Sequence, residues 1–320
     1  MKATNISKTT YKNIEAVAVE NETLKALFLP MGGKLVSLTD KLSKREFFFQ
    51  NPGSQYALPY YDGDFCQAEC SGFDDMFPNN SPAFVDQYPW NESRLPDHGE
   101  VASLPWNIEA SPDSLHMHVF GVRLPYKFSK EIRISENVVR IRYCAENLSS
   151  YELPCLYASH PMINTEEGGC ILVPFRDRAP MVCCAADDSA FGYVGMNAEW
   201  PNVLRADSYR ENTGTTPKPD QIQGTYKFYF SDTVPKGECG YQYVDGTKLI
   251  FSFSEKMLPY LGIWINNGFF HNSQNIVLAM SSCYLECQEF AKVHGRNNCI
   301  EPFQSQTWDI SISVVREAGV

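Results

Sequence analysis

Positive charge is scarce in this chain. Its 320 residues carry 27 Lys and Arg against 38 Asp and Glu, a net charge of −11. Neutralising a phosphate backbone needs clustered cations, so a nucleic-acid surface is excluded and a neutral or cationic ligand fits better. Long apolar runs are missing as well. The opening MKATNISKTTYKNIEAVAVE has no apolar core and no small-residue cleavage site, so it reads as neither a signal peptide nor a membrane span, which points to the cytosol. A disulfide framework is also absent. Eleven cysteines is an odd number, and Cys144, Cys155, Cys170 and Cys239 sit in strand-like runs, the pattern of free buried thiols in a reducing compartment. Cys66, Cys70, Cys283 and Cys287 are spaced too loosely for a four-thiolate zinc site.

Helical periodicity is scarce too. Only Leu285 to His294, stopped by Gly295, reads as a short helix, with Leu285, Phe290 and Val293 on one side. Period-two alternation dominates instead. Trp308, Ile310, Ile312 and Val314 share one face of a strand, with Thr307, Asp309, Ser311 and Ser313 on the other. The same pattern runs through Leu115–Val119, Val139–Tyr143, Tyr226–Phe230 and Leu249–Phe253. The 20 Gly and 20 Pro are dispersed between these runs and gather in no linker, so residues 1–320 read as one all-β unit, a large sandwich. The longest stretch without clear strands, Asn51 to Pro96, is where a β scaffold tends to carry function.

Two histidines have informative settings. His160 ends an apolar run (LPCLYAS) and precedes Pro161, which restricts its backbone. His98 lies in a turn between Asp97 and Gly99. His116 and His118 share one face of a strand, where an exposed polar surface is expected, and His271 and His294 have no supporting context.

Five words occur in order along the chain: PMGGKLVSLTDK (Pro30 to Lys41), GFDDMFPNN (Gly72 to Asn80), LPDHGEVASLPW (Leu95 to Trp106), ASHPMINTEEGGCILVP (Ala158 to Pro174) and LGIWINNG (Leu261 to Gly268). Together they resemble the aldose 1-epimerase, or galactose mutarotase-like, family over nearly the whole chain. The resemblance implies a large antiparallel β-supersandwich with few short helices and a sugar in an open cleft. It implies interconversion of the α and β anomers of a free aldose: a carboxylate takes the proton from the anomeric hydroxyl, a histidine protonates the ring oxygen, the ring opens, and closure after rotation about C1–C2 gives the other anomer. It carries the acid role onto His160 and a polarising role onto His98. Asp75 and Trp264 match positions that line the cleft. This chemistry requires no metal or organic cofactor, and the expected partner is a small-molecule sugar.

The carboxylate base has two alignments. Family members place it in a Glu-Pro word, and Glu301-Pro302 is the only such pair here. In the alternative, Glu301 lies in the turn before the last strand and Ala279 stands where the base belongs. This second alignment leaves the carboxy-terminal strands complete and is preferred; Glu100, Glu286 and Glu289 are then the candidate replacements, with Glu100 on the same side as His98 in an extended segment. Without any base the chain would be a carbohydrate-binding or sensing protein. A phosphosugar would call on Arg176, Arg178, Arg205 or Arg210, and a glycoside hydrolase would need a carboxylate pair that the sequence does not show. An acid histidine further requires a neighbouring carboxylate to raise its pKa.

Overall fold

The strand Ser305–Val315 shows how the alternation is used: Trp308, Ile310, Ile312 and Val314 are buried while Ser305, Thr307 and Asp309 are exposed. In the protein, seen here as a computed structural model that describes residues 4–186, 192–205, 209–219 and 224–316, this strand lies inside an antiparallel sheet of eight strands. On one side it pairs with Val138–Asn147, setting Tyr143 beside Trp308 and Ile141 beside Ile310. On the other it pairs with Lys248–Phe253. Each inward side chain thus meets its equivalent on the neighbouring strand, the contact that stabilises a sheet face.

A second antiparallel sheet of eleven strands packs against the first. Its first four strands, from Asn5 to Asp40, pair in sequence as a meander. Its middle is made of five strands in the spatial order Phe73–Met76, Ala158–Asn164, Gln274–Ser281, Tyr260–Asn267 and Gly224–Phe230. The core between the sheets is aromatic. Trp308 stacks on Tyr143 with centroids 5.4 Å apart and packs at 4.8 Å from Tyr157, so the residue that leads into the His160 strand is clamped by the opposite sheet. Removing a ring of this size from such a core costs about 3–5 kcal/mol. The fold class is therefore all-β, as expected.

Two local expectations need correction. The helix is only Gln288–Val293: Cys287 is extended, and Leu285 has a left-handed backbone (φ 66°). Phe290 and Val293 are exposed, and Ala291 supplies the buried contact. Gly295 does stop it, at φ 65°. The Asn51–Pro96 stretch contains a fully buried strand, Phe73–Met76, hidden from the alternation because two aspartates occupy its middle. No helix among the described residues is long and apolar enough to cross a membrane.

Candidate active site

The outer face of the eleven-stranded sheet carries the chemistry. Registers Tyr229↔Gly262 and Gly262↔Ala279 link three strands. The pairs Ala158↔Ser281 and Met162↔Val277 put Ala279 across from His160, and His160 pairs with Asp74. One row therefore crosses five strands as Tyr229, Gly262, Ala279, His160, Asp74. Its centre is two of the smallest side chains, and a Cβ on Gly262 would meet the Tyr229 ring at 2.7 Å. The row beside it holds Lys227, Trp264, Val277 and Met162.

His98 reaches this row from the Pro96–Gly99 turn. Both His98 (φ 58°) and Gly99 (φ 75°) are left-handed, and a Cβ on Gly99 would strike the Phe77 carbonyl at 2.6 Å, so glycine is required for the turn to lie so close. The His98 backbone N–H donates to the Asn80 carbonyl (2.6 Å), and Asn79 Nδ2 donates to the Pro96 carbonyl (2.7 Å). The turn thereby sets the His98 ring edge to face with the His160 ring, centroids 5.4 Å apart at 90°.

The two histidines sit in opposite electrostatic settings. His160 is buried, its Nδ1 has no hydrogen-bond partner, and its pKa lies well below the ordinary histidine value: burial is the largest cause, followed by the charges of His98, Lys227 and Lys34. No carboxylate is among the groups that shift it, so the raised pKa expected of His160 is corrected to a lowered one. His98 is more open, and its Nδ1 lies 2.8 Å from Asp97 Oδ2, close enough to pair as ions although the ring N–H is not aligned as a hydrogen bond. Burial would raise Asp97, but pairing with His98 holds its carboxyl below the usual range. Of the two imidazoles, His98 is therefore the one with a carboxylate beside it.

Phe65 covers both rings. It stacks on His98 with centroids 3.9 Å apart, stands edge-on to His160 at 5.5 Å, and packs against Met162, Ala279, Met76 and Ala158. It belongs to a single turn, Phe65–Gln67, capped by Asp64 Oδ1, which accepts from the Cys66 N–H at 2.9 Å. Glu69 ties down the same segment through Lys12 Nζ (2.6 Å) and Ser71 Oγ (3.1 Å).

Of the residues expected here, Trp264 lies on this face. Asp75 does not. It points between the sheets, where Lys130 Nζ (2.7 Å) and the Tyr157 hydroxyl (2.9 Å) donate to it. Its neighbour Asp74 faces His160, since a strand turns successive residues to opposite sides. Asp74 pairs with Lys34 Nζ at 2.9 Å, yet both its oxygens lack an aligned hydrogen bond. Its carboxyl is pushed up by burial, which the Lys34 charge only partly offsets. Asp74, Lys34, Lys227 and Phe65 were not foreseen; the alternation in FDDM is the one signal that separates Asp74 from Asp75.

Glu100 is fully buried and accepts from the Tyr61 and Tyr126 hydroxyls (2.5 and 2.9 Å) and the Arg123 N–H (2.9 Å), so its oxygens are committed to structure and it is corrected as a candidate base. Glu301 is exposed in the turn between Cys299–Ile300 and the last strand of the other sheet, its carbonyl accepting from Asn147 Nδ2, which is where the preferred alignment puts it and not where the Glu-Pro match would need it. Glu289 belongs to the short helix beside Asn79, Val85 and Pro154. Glu286 is different: its Oε2 takes Lys227 Nζ (2.6 Å) and Asn80 Nδ2 (2.9 Å). Arg178 is exposed and pairs with Glu199, and Arg210 opens the short strand Arg210–Asn212. The lysines whose charges act on His160 are Lys227 and Lys34. All eleven cysteines are free, and no group of three or more His, Cys, Asp and Glu among the described residues is arranged to hold a metal ion.

Solved structures share this architecture. The Slr1438 protein from Synechocystis sp. PCC 6803 superposes with a TM-score of 0.71 at 14% identity, covering 97% of this chain and 99% of that one. A galactose mutarotase-like protein from Clostridium acetobutylicum gives 0.65 at 12%, covering 98% and 99%. One from Lactobacillus casei gives 0.62 at 12%, covering 94% and 100%. No protein-family model and no curated protein sequence matches the chain. The fold is that of the galactose mutarotase-like proteins.

Proposed function

We propose that the chain interconverts the anomers of a free aldose, with the His98–His160 pair as its centre. The observation that carries this reading is that two histidines far apart in sequence meet at 5.4 Å on the outer face of a galactose mutarotase-like sheet. In a pyranose the anomeric and ring oxygens share one carbon, so groups this close reach both. His98, paired with Asp97, gives its proton to the ring oxygen. His160, kept neutral by burial, still has one N–H to donate and one nitrogen to accept, and it orients the same oxygens. The sugar takes the place of the Phe65 ring, with Trp264 as an apolar surface for its C–H face.

A second reading has its own support. Ala279, opposite His160, cannot accept a proton, so a sugar-binding protein without turnover is the alternative. Anomer exchange by NMR on freshly dissolved α-D-glucose, α-D-galactose and a panel of other aldoses separates the two. Acceleration lost on His98→Gln supports the enzyme; binding with no acceleration on any sugar leaves the binding protein.

A further inference from the structure

We infer that Glu286, carried on the loop after the Ala279 strand, is the carboxylate base of this site, in place of a residue on the strand itself. The inference rests on the anomerase reading above and names the group that reading lacks.

Glu286 approaches from the side of the row opposite His160. Its Oε2 is held by Lys227 and Asn80 at 2.6 and 2.9 Å, and its backbone carbonyl accepts from the Asn80 and Ser81 N–H groups (3.3 and 2.9 Å). Asn80 binds the other half of the site too, because its carbonyl holds the His98 N–H at 2.6 Å. One residue thus fixes both the donor histidine and the carboxylate. Lys227 acts on both halves as well, since its charge is felt at Asp97 and His160.

The other carboxylate oxygen, Oε1, is buried and has no aligned hydrogen bond, with the Tyr229 hydroxyl as a hydrogen-bonding neighbour of the same carboxylate. A buried carboxylate oxygen without an aligned hydrogen bond is uncommon and suits a ligand hydroxyl that supplies one. In the row between Tyr229, beside Glu286, and His160 stand the small residues Gly262 and Ala279. The strands of His160 and Tyr229 are three steps apart, about 14 Å at the usual strand spacing, and in the proposed complex one sugar ring, displacing Phe65, takes the ground between them.

The alternatives are less suitable. Asp74 is sealed with Lys34 beneath the Phe65 segment, and Asp97 is engaged by His98. His160 as base would create a further cation where the charges of Lys34 and Lys227 already act against one. With Glu286 the step balances. Oε1 takes the proton of the anomeric O–H, that bond's electrons form the C1=O1 double bond, C1–O5 breaks, and O5 takes the His98 proton. Closure on the other face returns both protons.

The test uses the full chain and the aldose that the unaltered protein turns over fastest. For Glu286→Gln, kcat is expected to fall by about 10²- to 10⁴-fold with KM within about threefold. Glu286→Ala should regain turnover with added formate, which a purely structural role would not allow. Glu301→Gln is the control, with unchanged rate. If Glu286→Gln does not fold, Glu286→Asp keeps the charge near Lys227 while withdrawing the oxygen, and a drop in kcat is expected there too. Active unaltered protein with kcat retained in the Glu286 variants overturns the inference alone. No acceleration by the unaltered protein on any aldose overturns the anomerase reading and the inference together.

Discussion

The His98 ring stands perpendicular to the His160 ring at 5.4 Å, and His98 has the Asp97 carboxylate at 2.8 Å while the buried His160 has no hydrogen-bond partner at Nδ1. Their chemical tasks follow from that asymmetry. In His98→Gln, kcat for anomer exchange should fall at least about 100-fold, as loss of a general acid does. In His160→Gln, which removes a hydrogen bond but no charge, the loss should be nearer 10-fold. A larger loss in His160→Gln would return the acid role to His160.

Phe65 occupies the space above both rings, so the proposed function requires a sugar to displace it. The stacked contact at 3.9 Å is worth about 0.5–1.5 kcal/mol beyond the area it buries. Phe65→Ala should therefore lower KM by roughly 2- to 12-fold, at 1.4 kcal/mol per factor of ten, with kcat little changed. A raised KM would show that Phe65 closes over the sugar instead of competing with it.

Burial that keeps His160 neutral also makes stability depend on pH. Its folded pKa is below the unfolded one, so its contribution is present above the unfolded value of about 6.5 and is lost as pH falls below it. There the unfolded chain binds a proton that the folded chain refuses, and the slope approaches about 1.4 kcal/mol per pH unit. Urea unfolding of the unaltered protein and His160→Gln between about pH 5 and 7.5 should show a steeper acid-side loss in the former. Parallel curves would mean that His160 is not kept neutral.

Asp75 predicts an effect on stability and not on the sugar. It and Lys130 form an ion pair between the sheets, both side chains 1% exposed. Asp75→Ala strands the Lys130 charge and should cost about 3–5 kcal/mol in urea unfolding, while anomer exchange per folded molecule stays the same. A KM effect at unchanged stability would place Asp75 at the sugar after all.

The difference between Asp75 and Asp74 shows what the sequence makes legible. Long alternating runs such as Trp308 to Val314 declare a strand and its buried face together, and the words around His98 and His160 announce a shared site. FDDM does neither, because its two aspartates answer to different layers: one to Lys130 of the facing sheet, the other to Lys34 under a loop. Glu301 carried the expected Glu-Pro word but belongs to a turn on the other sheet. Glu286 joins the site through Asn80 and Lys227, contacts made by side chains from distant parts of the chain. Phe65 reaches His98 through a one-turn segment with no periodicity to mark it.

The most direct test of the central claim is magnetisation-transfer NMR of anomer exchange, run with the unaltered protein across free aldoses. The account predicts faster exchange for at least one aldose, abolished in His98→Gln while that variant still folds. Binding of an aldose with the exchange rate equal to that in buffer alone would contradict it.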